Sequence, residues 1–310
     1  MENSYFIIPP EAVQEIRKLY DLDKPGRLEE AINILEDWIQ KQDHFTKKDF
    51  SKGYLERTLL TCKGSVEKAK KQIDRCCTMK TLMPKFFTKS NVKLELSSIL
   101  DLARIILLPK FTKDYYRVVL VEFRQLRNVS VDMFLQYFQT VIIFAEYLKG
   151  NDYLTGLLIV DDFRNANLLE LVSKMNSVEF QQFVNILVEG YGGRLKGYYC
   201  LTDSKAIEII MKMVKQLVTE KIGSRLQVVR TVEELYQWVP KELLPSDFGG
   251  NEASIEELQK AFVEELSTEK NVEYIKMMFN ARSDETRRNS STFNEEYMGM
   301  AGAFRNLTVD

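Results

Sequence analysis

The sequence predicts an α/β fold built on a mostly parallel sheet, and two observations lead to this fold class. Three short segments are rich in apolar residues and have the length of buried strands: 157–160, 194–201 and 226–229. The chain between and beside them shows helical periodicity over segments long enough to cross a sheet, at 168–175, 178–189 and 204–218. Strands joined by helical crossovers lie parallel to each other, with right-handed connections. The stretch 157–250 therefore forms the centre of the predicted fold.

The first ninety residues predict a small helical bundle. After an arm over residues 1–10, the predicted helices cover 11–20, 27–42, 54–61 and 66–79. The second of these has apolar residues at the three- and four-residue spacing of a single helix face: Leu28, Ile32, Leu35 and Ile39. Ser65 stands where a serine side chain caps the first turn of the following helix.

Three elements are predicted between this bundle and the central strand. Residues 94–108 are apolar and predict a helix that ends at Pro109. Residues 116–123 are rich in valine and predict a strand, because β-branched side chains favour the extended backbone. Residues 131–148 predict a long helix that is rich in aromatic residues.

The C-terminal part is predicted to be helical and then polar. Ser254 and Glu257 have the spacing of a capping box, and they open a helix that we expect to run to Ala281. The chain therefore divides into an N-terminal helical domain, an α/β domain, and a C-terminal helix with a wrapping tail: 1–90, 91–250 and 251–310.

Composition and cysteine spacing exclude several classes of protein. A net charge of −2 over 310 residues argues against a general nucleic-acid binder, which carries a strongly basic domain. The four cysteines have no CxxC spacing and no signal peptide opens the chain, so we expect a reduced, cytoplasmic setting. Apolar runs such as 141–144 are far too short to span a bilayer.

The sequence offers little catalytic chemistry. Its single histidine, His44, lies in a polar stretch and is predicted to be an exposed surface residue. The scarcity of histidine argues against histidine triads and histidine-based zinc sites. The glycines at 190–193 do not complete a dinucleotide fingerprint, because position 195 is leucine. We interpret Asp161 and Asp162, at the end of the central strand, as loop or capping groups. No enzyme activity, metal or cofactor is expected.

Three motifs in the central stretch resemble the CRAL-TRIO lipid-binding domain, the family of the alpha-tocopherol transfer protein and the cellular retinaldehyde-binding protein. They are Arg194-Leu195-Lys196-Gly197, the step Thr219-Glu220-Lys221-Ile222 before Arg225, and Leu244-Pro245 followed by Gly249-Gly250. The segment from Tyr54 to Ala69 resembles the small helical domain that precedes CRAL-TRIO, although Leu60 and Cys62 stand where that family carries further basic residues. The end of the chain, 298–310, resembles the terminal segment of insect members.

The resemblance implies a hydrophobic cavity, floored by the sheet and closed by a gate helix at 204–218. Periodicity alone reports only burial, so the assignment of apolar residues to a cavity comes from the resemblance. The residues expected to line it are Tyr137, Phe144, Ile159, Leu168, Leu171, Val172, Met175, Phe183, Leu187, Tyr198, Cys200, Thr202, Ile207, Ile210, Met211 and Val214.

Three basic residues beside the gate helix, Lys221, Arg225 and Lys196, resemble the phosphoinositide-contacting positions of tocopherol-transfer proteins, and further lysines lie on the helix itself. The residues expected to meet an anionic membrane or headgroup are Lys196, Lys212, Lys215, Lys221 and Arg225. The alternative interpretation is a solvated basic helix face.

These expectations predict a monomeric cytosolic carrier that exchanges one hydrophobic ligand with membranes. The candidate ligands are a retinoid or carotenoid, a tocopherol-like molecule, a sesquiterpenoid hormone or a phosphoinositide. The alternative is a protein-interaction module that uses the same fold without lipid exchange.

Overall fold

The computed structural model describes residues 5–124 and 130–288, so the insect-like segment 298–310 lies outside the described residues. The helices, in chain order, are α1 (Ala12–Lys18), α2 (Arg27–Gln40), α3 (Lys52–Thr61), α4 (Val66–Leu82), α5 (Val92–Glu95), α6 (Ser97–Leu102), α7 (Val131–Asn151), α8 (Leu168–Lys174), α9 (Ser177–Asn185), α10 (Ala206–Leu217), α11 (Glu220–Gly223), α12 (Val232–Leu235), α13 (Ile255–Leu266) and α14 (Glu269–Phe279). The strands are β1 (Ala103–Phe111), β2 (Tyr116–Phe123), β3 (Gly156–Asp162), β4 (Leu195–Leu201) and β5 (Leu226–Val229).

The five strands form one sheet in the order β1-β2-β3-β4-β5. The β1–β2 pair is antiparallel, and the other three pairs are parallel. Helices connect the strands that pair in parallel, because two parallel neighbours need a crossover connection between them. The predicted fold class, a mostly parallel sheet flanked by helices, is confirmed.

The sheet has two unlike faces. One face packs tightly against the C-terminal half of the domain, where Val160, Leu201, Leu244 and Phe248 belong to one buried cluster. The other face is covered by α7, α8, α9 and α10. This second face carries the candidate site.

The N-terminal helices pack as the bundle that the sequence predicts. Leu35 and Ile39 of α2 pack with Leu55 and Leu59 of α3 in one buried cluster, which Met278 of α14 also joins. The Ser65 side chain accepts a hydrogen bond from the backbone N–H of Lys68, so it caps α4 as predicted.

The helix predicted over residues 94–108 is wrong. Helix there is limited to the end of α5, which stops at Glu95, and to α6 (Ser97–Leu102), and β1 begins at Ala103. Ile105 pairs with Val121, and the neighbouring positions of β1 are buried on both faces of the sheet. A strand buried on both faces gives a continuous apolar run, which periodicity does not distinguish from a buried helix.

Two further expectations are corrected. The helix expected from Ser254 to Ala281 is two helices, because Thr268 accepts a hydrogen bond from the N–H of Asn271 and starts α14 anew. His44, expected on the surface, is 7% exposed. Its Nε2 lies 2.9 Å from Asp74 Oδ1, and this contact satisfies the buried ring nitrogen.

Candidate functional site

The helix-covered face of the sheet is organised by strand register into two rows of side chains. The first row is Leu107, Val119, Ile159, Tyr198 and Leu226. The second row is Ile105, Val121, Asp161, Cys200 and Val228. Paired residues in neighbouring strands point to the same face, so these ten side chains form a floor beneath the helices.

The floor keeps partial exposure at its centre, although it lies on inner strands and under helices. Ile159 and Tyr198 are partly exposed, whereas Val160, which points to the other face of β3, is fully buried. A residue on a central strand is normally buried on both sides of a helix-covered sheet. Space therefore remains above Ile159.

The covering helices pack in two separate groups on either side of that space. In the first group Phe138 of α7 stacks on Phe183 of α9, with ring centroids 4.4 Å apart. In the second group Leu168 of α8 packs with Ile207 of α10. Ile159 packs in neither cluster, which places the open space of the floor between α7/α9 and α8/α10.

The structure brings most of the predicted lining residues to this floor and these two groups. Tyr137, Phe183 and Leu187 belong to the first helix group, and Tyr198, Cys200, Leu168, Val172, Ile207, Ile210, Met211 and Val214 belong to the cluster around α8 and α10. Leu171 is buried on α8, and Met175 is partly exposed at its C-terminal end.

Two predicted lining residues have partners away from the open part of the floor. Phe144 belongs to the same buried cluster as Phe138 and Phe183, but its ring packs against Phe262 of α13, with ring centroids 4.8 Å apart. Thr202 is buried in the turn after β4, where its side chain accepts a hydrogen bond from the N–H of Ser204. Both side chains therefore have structural partners of their own.

The floor contains one carboxyl group that we did not predict as a site residue. Asp161 is 4% exposed, and its Oδ2 accepts a hydrogen bond from the Tyr198 hydroxyl. Its Oδ1 is buried and has no hydrogen-bond partner within the described part of the chain. Burial raises the pKa of Asp161 from 3.8 to about 7, against the opposing hydrogen bond from Tyr198 and with a smaller contribution from the charge of Asp162.

Asp162, by contrast, behaves as the predicted loop group. The guanidinium of Arg164 donates to both of its carboxylate oxygens: Nε lies 3.0 Å from Oδ1, and Nη2 lies 2.7 Å from Oδ2. Its Oδ1 also accepts a hydrogen bond from the backbone N–H of Arg164, which fixes the turn after β3. Adjacent carboxylates thus serve different purposes because alternate residues of a strand point to opposite faces.

An open depression of about 560 Å³ lies between α10 and the edge strand β5. Lys212 and Lys215 line it on the α10 side, together with the acidic Glu208. Leu226 and Val228, the β5 members of the two floor rows, line the other side. The depression therefore joins two predicted basic residues to the edge of the apolar floor.

A second basic group lies at the start of β4 and β5. Partial desolvation lowers the pKa of Lys196, the nearby charges of Arg194, Arg225 and Lys63 lower it further, and Asp114 opposes them. Arg225 donates a hydrogen bond to the backbone carbonyl of Leu195, which ties it to β4. This group, which we call the basic cluster, is Lys63, Arg194, Lys196 and Arg225.

The remaining basic residue of the predicted set, Lys221, is exposed on the short helix α11. A Cβ atom added at Gly223 of the same helix would lie 3.5 Å from the Lys215 side chain, so α11 sits against the lysine-bearing side of α10. Arg57, the basic residue kept from the N-terminal motif, donates to the carbonyl oxygens of Lys149 and Gly150 at the end of α7. It therefore serves as a C-terminal cap of that helix.

Two family models match this chain. Residues 103–250 match the model described as CRAL/TRIO domain, which covers the whole sheet and the helices over its floor. The α/β part of the chain therefore has the CRAL/TRIO fold. Residues 24–97 match the model described as Pinta-like, UBA domain, which covers the bundle from α2 to the start of α6.

One of the solved structures that match this chain shows a loose likeness to it over about three quarters of its length. The crystal structure of Sfh5 superposes with a TM-score of 0.45 at 11% sequence identity, over 76% of this chain and 91% of that chain. Within residues 5–124 and 130–288, no helix of the CRAL/TRIO domain or its neighbours is long and apolar enough to cross a membrane.

Sequence reasoning missed Asp161, Arg194 and Lys63 as parts of the site. Alternation along β3 was the available signal for Asp161, because it places residues 157, 159 and 161 on one face. Arg194 is a member of the motif that revealed the CRAL/TRIO domain, but its proximity to Lys63 depends on the packing of the N-terminal bundle. No local pattern predicts that proximity.

Proposed function

We propose that this protein is a carrier, rather than an enzyme, that binds one hydrophobic ligand in the space above Ile159. The observation that carries the proposal is the partly exposed apolar floor on the inner strands, beneath two separated groups of helices. The match of residues 103–250 to the CRAL/TRIO domain supports lipid binding by this floor.

Apolar burial alone is sufficient to hold such a ligand. Removing roughly 400 Å² of ligand surface from water, at about 25 cal/mol per Å², favours binding by about 10 kcal/mol before the costs of association. The ligand classes consistent with this driving force are those expected from the sequence, namely a retinoid or carotenoid, a tocopherol-like molecule, a sesquiterpenoid hormone or a phosphoinositide. The proposal needs no catalytic group.

Extraction of the purified full-length protein with organic solvent tests this function. We expect one equivalent of an isoprenoid or phospholipid in the extract, identified by mass spectrometry. A clean extract, obtained again after incubation with candidate lipids, would favour a protein-interaction module instead.

A cavity-filling substitution locates the ligand. Ile159→Phe places a larger side chain over the centre of the floor, so we expect the extracted ligand to fall well below one equivalent. Ile34→Phe is the matched control, because Ile34 lies on α2 and is 42% exposed. Equal ligand content in both variants would place the ligand elsewhere.

We further propose that α10 opens this cavity at membranes. This helix has apolar residues on its outer side as well as on its buried side. Ile207 and Met211 are buried in the cluster over the floor, whereas Ile209 is 61% and Met213 45% exposed. Exposed apolar side chains on one helix are typical of surfaces that contact lipid.

The lysines near α10 support an anionic membrane as the partner. Lys212 and Lys215 line the depression beside β5, and Lys221 follows on α11. A lysine close to an anionic bilayer contributes about 1 kcal/mol of attraction. Contact with such a surface would bring the outer apolar side of α10 to the bilayer, and the ligand would then exchange.

A further inference from the structure

Asp161 is a buried carboxyl group in an otherwise mostly apolar floor. In its row it stands between Val121 of β2 and Cys200 of β4. Its Oδ1 is buried without a hydrogen-bond partner in the described part of the protein. An unpaired buried acceptor is destabilising, so a ligand group that donates a hydrogen bond to it would remove that penalty and gain binding free energy.

The chemistry of the pair Asp161–Tyr198 restricts what that ligand group is. Tyr198 donates its only hydroxyl hydrogen to Asp161 Oδ2, which leaves its oxygen with acceptor capacity alone. An ionised Asp161 likewise only accepts. Tyr198 is partly exposed and Asp161 is buried behind it, so the pair places its acceptors and one negative charge next to the open part of the floor.

We propose that Asp161 and Tyr198 hold the polar end of the ligand and select lipids that end in a hydrogen-bond donor, such as an alcohol, over matched lipids that end in a carboxylate. This inference rests on the proposed carrier function. An alcohol donates a charge-assisted hydrogen bond to Oδ1, whereas a carboxylate brings only acceptors and a second negative charge into a poorly solvated site.

The selectivity is expected to depend on pH through Asp161. The titratable groups that act on it are Tyr198 and Cys200 of β4, Tyr137 of α7, and Asp162 beside it on β3. Burial raises the pKa of Tyr137, Tyr198 and Cys200, so these three stay neutral at physiological pH. Protonation of Asp161 near pH 7 removes the repulsion of carboxylates.

A competition between matched lipids tests the inference. Delipidated full-length protein is incubated at pH 8 with an equimolar mixture of farnesol and farnesoic acid, retinol and retinoic acid, and hexadecanol and hexadecanoic acid. The protein is then separated from free lipid and extracted for mass spectrometry. We expect each retained alcohol to exceed its matched acid by about tenfold or more.

Two variants and a second pH sharpen the result. Asp161→Asn is expected to bring the alcohol-to-acid ratio towards one, whereas Asp162→Asn, which alters the loop carboxylate on the opposite face, leaves it unchanged. In the wild-type protein the ratio should also fall between pH 8 and pH 6, a readout that does not depend on the folding of any variant.

The outcomes separate the two proposals. Retention of acids as strongly as alcohols at pH 8 would overturn the selectivity of the Asp161–Tyr198 pair and leave the carrier function standing. Retention of no lipid at all would overturn both.

Discussion

Lys80 Nζ lies 3.0 Å from Glu146 Oε2, and both side chains are excluded from solvent. Lys80 belongs to the N-terminal helix α4, and Glu146 belongs to α7, which covers the floor of the sheet. The same lysine donates to the carbonyl oxygen of Met278, and the same carboxylate accepts from the Tyr191 hydroxyl. This network joins the helical bundle to the CRAL/TRIO domain.

Lys80→Met is expected to lower the free energy of unfolding by about 3–5 kcal/mol, because it leaves the Glu146 carboxylate buried without its charged partner. Urea denaturation followed by circular dichroism measures this loss. Lys276→Met removes an exposed pair with Glu273 instead, and we expect a much smaller loss because water screens that pair. Equal losses in the two variants would show that the buried pair does not stabilise the contact between the domains.

Asp161→Asn is expected to raise stability at neutral and alkaline pH. The pKa of Asp161 is raised from 3.8 to about 7 on folding, so its contribution is fully favourable below about pH 4 and is lost as pH rises to 7. The asparagine does not ionise, so its advantage over the wild type grows across that interval to about 4 kcal/mol at most. Urea denaturation at pH 4.5, 6 and 8 measures the difference.

Tyr198→Phe provides the companion measurement. The hydrogen bond from Tyr198 lowers the pKa of Asp161, so its removal is expected to move the pH-dependent loss of stability to higher pH. Parallel stability curves for the wild type and Asp161→Asn between pH 4.5 and 8 would contradict a raised pKa at this position.

The sequence predicts most elements of the fold because their signals are local. The helix face of Leu35 and Ile39 and the Ser65 cap can be recognised within a few residues of chain. The strand β1 was missed because Ile105 and Ile106 are both buried, one on each face of the sheet, which hides the strand period.

The candidate site depends more on contacts that are distant in sequence. Asp161 and Tyr198 lie 37 positions apart and meet only because β3 and β4 are paired in a specific register. The basic cluster needs Lys63, from the turn between α3 and α4, to approach Arg194 at the start of β4. Register and packing between domains are not visible in the periodicity of either segment.

Charge reversal of Lys212, Lys215 and Lys221 to glutamate is expected to slow ligand transfer to anionic vesicles by about tenfold or more, because each lysine near the surface contributes about 1 kcal/mol. Ligand affinity should stay unchanged, since these side chains are exposed and lie outside the apolar floor. A fluorescent lipid transferred to phosphatidylserine-containing vesicles gives the rate.

The matched control for this charge reversal is the triple variant Lys71→Glu, Lys260→Glu and Lys270→Glu, at exposed positions of α4, α13 and α14. We expect this variant to transfer ligand at the wild-type rate. Transfer to neutral phosphatidylcholine vesicles should be alike in all three proteins. An equal slowing in both variants would attribute the effect to net charge rather than to the lysines near α10.

The outer side of α10 gives a prediction that is independent of charge. Replacing Ile209 and Met213 by serine is expected to weaken vesicle binding by about 1–3 kcal/mol in total, because the wild-type side chains move from water into the apolar part of the bilayer on binding. Their exposure in the free protein means that stability should change little.

Flotation with vesicles measures binding. The double variant Ile34→Ser with Met277→Ser is the matched control, since these residues are 42% and 45% exposed on α2 and α14. Binding that weakens equally in both double variants would show that general surface hydrophobicity, rather than the outer side of α10, holds the protein at the membrane.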